Sequence, residues 1–372
     1  MKAFTNFIIN CPDTISPIKV AVLDDGFDLV DGTVNPSADI ITNRSSIVFK
    51  TVELIPESNY NSHSHPPLHS RRSKFSHRQH RPQARASYIS ETGHGTKMVK
   101  IIMGLCPTAK LYVARLSSTS RDGRGPTATS AAEAIRWAVK NGVDIISMSW
   151  SIQMSPSSVT QPPVDEIKLK EAIQLARDAN ILMFGASSDQ GNTGPSDHLI
   201  YPAAALGVFC IIAADTYGQL KSTVGPERLG SYTYAFPSEE TKDAADQGSS
   251  VATAMAAGFT ALLLHAAELG QIGASDKANT KALRNYQNMA KVLDGLLVPG
   301  TRYIGVTRYI PDSVCKADWD RIGRPALRLF MHKLILYAIP DLVFSCILLM
   351  CLKFTGGVCN RGSSSAQCLR VL

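Results

Sequence analysis

Three short segments of this chain carry side chains that could act together on an electrophilic carbon. They are VAVLDDGFD with Asp24, ETGHGTKM with His94, and QGSSVATAMAAG with Ser250. A serine hydroxyl is a poor nucleophile near neutral pH unless a base lies within hydrogen-bond reach. Imidazole titrates in the range such a base needs, and a carboxylate can fix which ring nitrogen carries the proton. Each segment alone also has an ordinary reading. An Asp at a strand end is commonly a turn residue, a His between glycines a loop residue, and a Ser at a helix start an N-cap.

Hydrophobic periodicity predicts the elements that must position these residues. The run IKVAVLD (18–24) is apolar, rich in β-branched residues, and ends in the turn signal Asp24-Asp25-Gly26, so it reads as a buried strand. A helix is expected over 95–104 and a strand over 111–116. A second helix is expected over 127–141, capped by Thr127 or Thr129 and ended by Asn141-Gly142. Strands are expected at 143–150, 181–186 and 209–214. The helix expected at 164–179 has Ile167, Leu169, Ile173, Leu175 and Ala176 on its apolar side, and the Ala-rich stretch 250–268 reads as a buried helix. Strand–helix alternation predicts an α/β fold with a mostly parallel central sheet flanked by helices. Active groups in such sheets collect at the C-terminal strand ends, where Asp24 and Asp189 both fall.

In the order Asp, His, Ser, the three segments resemble the subtilisin-like serine peptidases. His94 and Ser250 are 156 residues apart, against about 157 in the subtilisin pattern. CPTAKLYVARL and AIRWAVKNGVDIISMSW are similar to the family's segments leading to its substrate-binding edge, and the resemblance covers roughly residues 18–270. It implies a subtilisin-like three-layer fold. It also implies a serine endopeptidase working through an acyl-enzyme, with Ser250 as nucleophile, His94 as base and Asp24 orienting the imidazole. Asp25 is expected to point the other way on an extended strand, which favours Asp24.

Further roles follow from the same resemblance. Gly248 would allow close approach before Ser250, whose amide at a helix N-terminus would face the developing oxyanion. The family places an Asn donor where this chain has Asp189, so the implied oxyanion hole is Asp189 and Ser250. An ionised Asp accepts and does not donate; either Asp189 is protonated or the Ser250 amide acts alone, and some proprotein convertases also carry Asp there. The implied substrate-binding residues are Ser149, Trp150 and Ser151 along an extended edge, with Ala186, Ser187 and Ser188 as one wall of the specificity pocket. A core tryptophan is the alternative for Trp150. Val99 and Lys100 replace small residues, Lys97 a common His, and Ala254-Met255 a Pro-His pair. Lys100 must reach solvent or a carboxylate, or the helix is displaced. Asp189, Lys100 and an unusual insertion motivate the alternative function, a catalytically degenerate subtilase-fold domain that binds peptides or protein partners.

Charge bounds what else the chain could be. Its 372 residues carry a net charge of +7. Residues 61–90 alone hold Arg71, Arg72, Lys74, Arg78, Arg81 and Arg85 with no acid. The basic balance is therefore local, and no nucleic-acid partner is expected, since no folded basic face accompanies it. The interval from Asp24 to His94 is 70 residues, against about 32 in the subtilisin pattern. The surplus coincides with a His/Arg/Ser-rich insertion at about 55–90 that reads as a solvated loop, although His63, His65, His69, His77 and His80 could together take a transition metal.

The expected organisation is an N-terminal extension over 1–17, a peptidase domain over 18–295 and a tail over 296–372. Seventeen residues are too few for the inhibitory folding propeptide of many relatives. The tail contains an apolar stretch, 334–352, long enough to anchor in a bilayer, though Pro340 and Asp341 near its centre oppose spanning. No signal peptide is evident, so an intracellular location is expected, with membrane anchoring as the alternative. The eight cysteines read as thiols rather than a disulfide framework. A monomer acting on peptide or protein substrates is expected. Catalysis should need no metal or other cofactor; structural calcium is admitted by the resemblance, at no assignable residues.

Overall fold

The computed structural model describes residues 5, 15–28, 47–51, 89–117, 125–156, 159–189, 199–220, 232–238, 248–270 and 281–305. The insertion at 55–90 (apart from residues 89 and 90), the stretch 334–352 and most of the extension 1–17 lie outside them. In chain order the elements are β1 (Lys19–Asp24), β2 (Ile47–Thr51), α1 (His94–Leu105), β3 (Lys110–Arg115), α2 (Ala128–Lys140), β4 (Ile145–Met148), β5 (Ile152–Gln153), α3 (Val164–Asp178), β6 (Leu182–Ala186), β7 (Ile200–Tyr201), β8 (Val208–Ala214), β9 (Thr233–Pro237), α4 (Ser249–Gly270) and α5 (Tyr286–Asp294).

Seven strands form one sheet in the order β2-β3-β1-β4-β6-β8-β9, and every adjacent pair is parallel. Strands buried on both faces read as continuous apolar runs, which is why IKVAVLD and ILMFGA were legible. Side chains alternate between the two faces. Val20 and Val22 share one core with α1, α4 and α5, while Ala21 and Leu23 share the other with α2 and α3. By the same alternation Asp24 faces α1 and α4, whose first residues are His94 and Ser249. The strand order reverses between β1 and β4. The crevice beyond the carboxyl ends of strands at such a point is where open α/β sheets bind ligands.

The helices follow their local chemistry. Thr127 Oγ1 accepts from the Ser130 N–H at 3.0 Å and caps α2, one of the two expected caps. α4 is apolar all round and buried, so it forms the spine of one layer; its Ser249–Leu269 stretch is long and apolar enough to cross a bilayer, but 89% of its most apolar window is inside the fold. α3 departs from expectation. Leu169, Ala172, Ile173 and Ala176 are buried, whereas Ile167 and Leu175 are 40% and 41% exposed. The buried set has i, i+3, i+4, i+7 spacing, and Glu166 joins it by accepting from the Ser155 N–H and Oγ. β4 is shorter than the expected 143–150 strand. The folded region also continues past residue 295, because the Ile304 N–H donates to Ala235 O at 2.9 Å and Ile304 is fully buried. Cys106 is a buried thiol, as expected, and burial pushes its pKa up to about 11.

A polar cluster closes the opposite end of the sheet. Asp144 accepts from the Lys19 N–H at 2.8 Å and from Arg284 Nε at 2.6 Å, and Arg284 Nη2 donates to Glu268 at 2.7 Å. Arg284 thereby ties the loop before β4 to α4. Arg284→Met should lower the unfolding free energy by about 2 kcal/mol, because two partly buried carboxylates lose their counter-charge. Urea denaturation of the full chain checks this; an unchanged midpoint would contradict it.

Candidate active site

Asp24 ends β1 and is 5% exposed. Its Oδ1 accepts from the Asp25 N–H and meets His94 Nδ1, both at 2.8 Å. Its Oδ2 is buried without a hydrogen-bond partner among the described residues. His94 opens α1 with a half-exposed ring. Desolvation disfavours the charged imidazole, but the Asp24 carboxylate, its hydrogen bond and the nearby Asp25 charge outweigh desolvation and Lys97, so the pKa rises to about 9. With Asp24 ionised, Nδ1 carries the proton of that bond, which leaves Nε2 as the position for proton exchange.

Ser250 is the second residue of α4. Its Oγ donates to Ser149 O at 3.0 Å, and Ser149 Oγ donates to Ser250 O at 3.0 Å. The reciprocal pair fixes the start of α4 to the segment just beyond β4. No hydrogen bond joins Ser250 Oγ to His94 in this structure. The next residue beyond Ser149 links the pair to β1: Trp150 Nε1 donates to Leu23 O at 2.9 Å, beside Asp24. Both carboxylate oxygens of Asp189 accept from the Ser249 N–H, at 2.9 and 3.2 Å, and Ser249 Oγ donates to Ser187 O at 2.6 Å. Asp189 thus caps α4 from outside it. A Cβ on Gly248 would come within 2.5 Å of Asp189 Oδ2, which explains glycine before the two serines.

The other expected residues divide. Ser149 and Ala186 are buried, Ser187 and Ser188 half-buried, and Ser151 exposed. Trp150 is 8% exposed, sits in the core cluster of α2 and α3 and donates to Leu23 O. Its side chain is therefore a core tryptophan rather than a subsite wall, because its N–H finds a partner inward. Lys100 is half-buried and Val99 fully buried on α1. Asp25 does not point away from Asp24 as expected: it lies past the end of β1, and its carboxylate also turns to the start of α1. Its carboxylate accepts from Ser90 Oγ, the Thr92 N–H and Oγ1, and the Gly95 N–H, at 2.6 to 2.8 Å. Burial opposes its charge, yet these hydrogen bonds hold its pKa below the ordinary carboxylate value. A cleft of about 740 Å³ lined by Arg177, Leu206, Gly207, Tyr232 and Tyr286 lies at the N-terminal ends of β6 and β8, away from these groups. Among the described residues, no group of three or more His, Cys, Asp or Glu side chains could hold a metal ion, so none is assigned to calcium.

A parallel sheet with an Asp–His pair at its switch point and a serine-opened helix beside it defines an α/β fold of the subtilisin-like type. Residues 16–285 match the model of the subtilase family, and the chain belongs to that family. It is 34% identical over 152 residues to the thermostable alkaline protease of Halalkalibacterium halodurans, covering 38% of this chain and 37% of that protein. It is 28% identical over 187 residues to subtilisin DY of Bacillus licheniformis, covering 46% and 63%. The chain thus matches less than two thirds of the length of either relative. Among solved structures, the nisin leader peptidase NisP of Lactococcus lactis superposes with a TM-score of 0.54 at 15% identity, over 82% of this chain and 92% of that one.

Proposed function

We propose that this protein is a serine endopeptidase that hydrolyses peptide bonds through Asp24, His94 and Ser250. The carrying observation is the 2.8 Å contact between Asp24 Oδ1 and His94 Nδ1 at the sheet's switch point, on the face where α4 begins with Ser249 and Ser250. Ser250 Oγ adds to the substrate carbonyl and forms a tetrahedral adduct as its proton passes to His94 Nε2; the ester appears only when that adduct collapses. The tetrahedral oxygen is held by the Ser250 N–H at the first turn of α4. Collapse breaks the C–N bond, and His94 gives the proton to the leaving amine. Water, deprotonated by His94, then cleaves the ester. Asp24 holds the tautomer and balances the imidazolium throughout.

The substrate's backbone pairs beside Ser149, Trp150 and Ser151 as an added strand, and Ala186, Ser187 and Ser188 border the side-chain pocket. Asp189 stands where a side-chain donor would serve the oxyanion; while ionised it only accepts, and it is engaged by the Ser249 N–H. Loss of one such donor costs about 10²–10³ in rate, so turnover should be slow rather than absent. The second reading, a peptide-binding domain without turnover, rests on this carboxylate. A fluorophosphonate probe separates the two. It should label the full chain at Ser250, with labelling lost in Ser250→Ala; folded protein that takes up no label would overturn the endopeptidase reading.

A further inference from the structure

Asp25 sits next to the orienting carboxylate but has a different set of partners. Oδ1 accepts from Ser90 Oγ at 2.6 Å and the Gly95 N–H at 2.7 Å; Oδ2 accepts from the Thr92 N–H at 2.8 Å and Thr92 Oγ1 at 2.7 Å. The same two hydroxyls carry the contacts onward. Ser90 Oγ accepts from the Gly93 N–H at 2.9 Å, and Thr92 Oγ1 accepts from the His94 N–H at 3.3 Å. The backbone N–H groups of residues 92, 93, 94 and 95 are therefore all engaged by Asp25 directly or through one hydroxyl. Those of 93, 94 and 95 are orphan donors of a helix start, and the N-cap Gly93 has no side chain to engage them. A carboxylate suits that end of the helix dipole.

The clamp leaves little freedom. A Cβ on Gly95 would collide with Gly26 O and lie 2.8 Å from Asp25 Oδ1, so the β1 turn and the first turn of α1 are in direct contact. The preceding loop is anchored a second time, by Arg115 at the end of β3, which donates to Ile89 O at 3.2 Å and pairs with Glu91 at 3.1 Å.

We propose that Asp25 is a positioning residue that sets the place of the His94 imidazole by clamping the backbone on both sides of it. This rests on the endopeptidase reading for its effect on rate, but not for its effect on His94. The charged groups around the ring are Asp24 and Asp25 at the end of β1 and Lys97 on α1, with the Glu91–Arg115 pair on the loop and β3. Asp25→Asn keeps the shape but removes the charge and puts an N–H₂ where one backbone N–H and one hydroxyl now donate.

The test uses the full chain and three proteins: wild type, Asp25→Asn, and the Ser90→Ala/Thr92→Val double variant. In Asp25→Asn, kcat on a fluorogenic peptide, compared on the alkaline plateau above the His94 titration, should fall about 10²-fold, the scale of a misplacement near 1 Å, with KM within about twofold. The His94 imidazole titration, followed by NMR, should move to lower pH. The double variant keeps the charge and loosens the clamp; its kcat should fall and its titration stay near that of wild type. Wild-type kcat and titration in Asp25→Asn would overturn the proposal, even with a lowered melting temperature. Should Asp25→Asn not fold, an unchanged kcat in the double variant overturns it. If wild type itself shows no Ser250-dependent turnover, the endopeptidase reading fails, and the titration alone decides on Asp25.

Discussion

Ser250→Ala and His94→Ala should each lower peptide hydrolysis by about 10⁴–10⁶-fold, and the double variant should be no slower than the worse single one. Groups that act as one unit in a single step are non-additive, because removing either already abolishes the step that both serve. The Asp24–His94 contact makes His94 useful only if it moves the proton of Ser250; without Ser250 the imidazole has nothing to activate. Any residual rate would come from binding and the Ser250 N–H at the start of α4. Asp24→Asn should cost less than either, since it disturbs the tautomer but leaves nucleophile and base in place. Initial rates on a fluorogenic peptide, with the fold checked by circular dichroism, measure all four. Multiplying losses in the double variant would mean that Ser250 and His94 act independently, and the triad assignment would fall.

The parts legible in the sequence are those whose signal is local. β1, β3, β6 and β8 were visible because strands in a parallel sheet are apolar on both faces. α2 carried its own start and stop in Thr127 and Asn141-Gly142. Asp24, His94 and Ser250 stood out through order and spacing rather than contacts. α5 carries a local signal of its own: Asn285 caps it, and Met289, Val292 and Leu293 are buried at helical spacing. The β9 segment TYAFP starts with Thr and ends in Pro, so it lacks the continuous apolar run that marks β6. α3 carries Ile and Leu on both sides, so apolarity alone could not orient it. Asp25 was illegible for a different reason. Its partners Ser90, Thr92 and Gly95 lie 65 to 70 residues downstream, and only the fold brings them to it. The Ser149–Ser250 pair spans 101 residues and was equally out of reach.

The acid limb of kcat/KM should fall near pH 9 rather than near the ordinary imidazole value of about 6.5. In the proposed mechanism the base form of His94 is the active one, because an imidazolium has two donors and no lone pair to take the proton of Ser250. Burial alone would favour the neutral ring, but Asp24 at 2.8 Å and Asp25 nearby stabilise its charged form and lift the pKa to about 9. Below that value activity should drop tenfold per pH unit, leaving about one hundredth of the plateau at pH 7. The sign for stability is the reverse. Since the folded pKa exceeds the unfolded one, the Asp24–His94 interaction stabilises fully below about pH 6.5 and is lost as pH rises through about 9. Activity should thus increase over the interval in which this contribution to stability declines. A kcat/KM profile from pH 5 to 10 tests the shift. A limb near 6.5 would show that the two carboxylates do not hold the proton on His94, while a limb that moves down in Asp25→Asn would separate the contribution of Asp25 from that of Asp24.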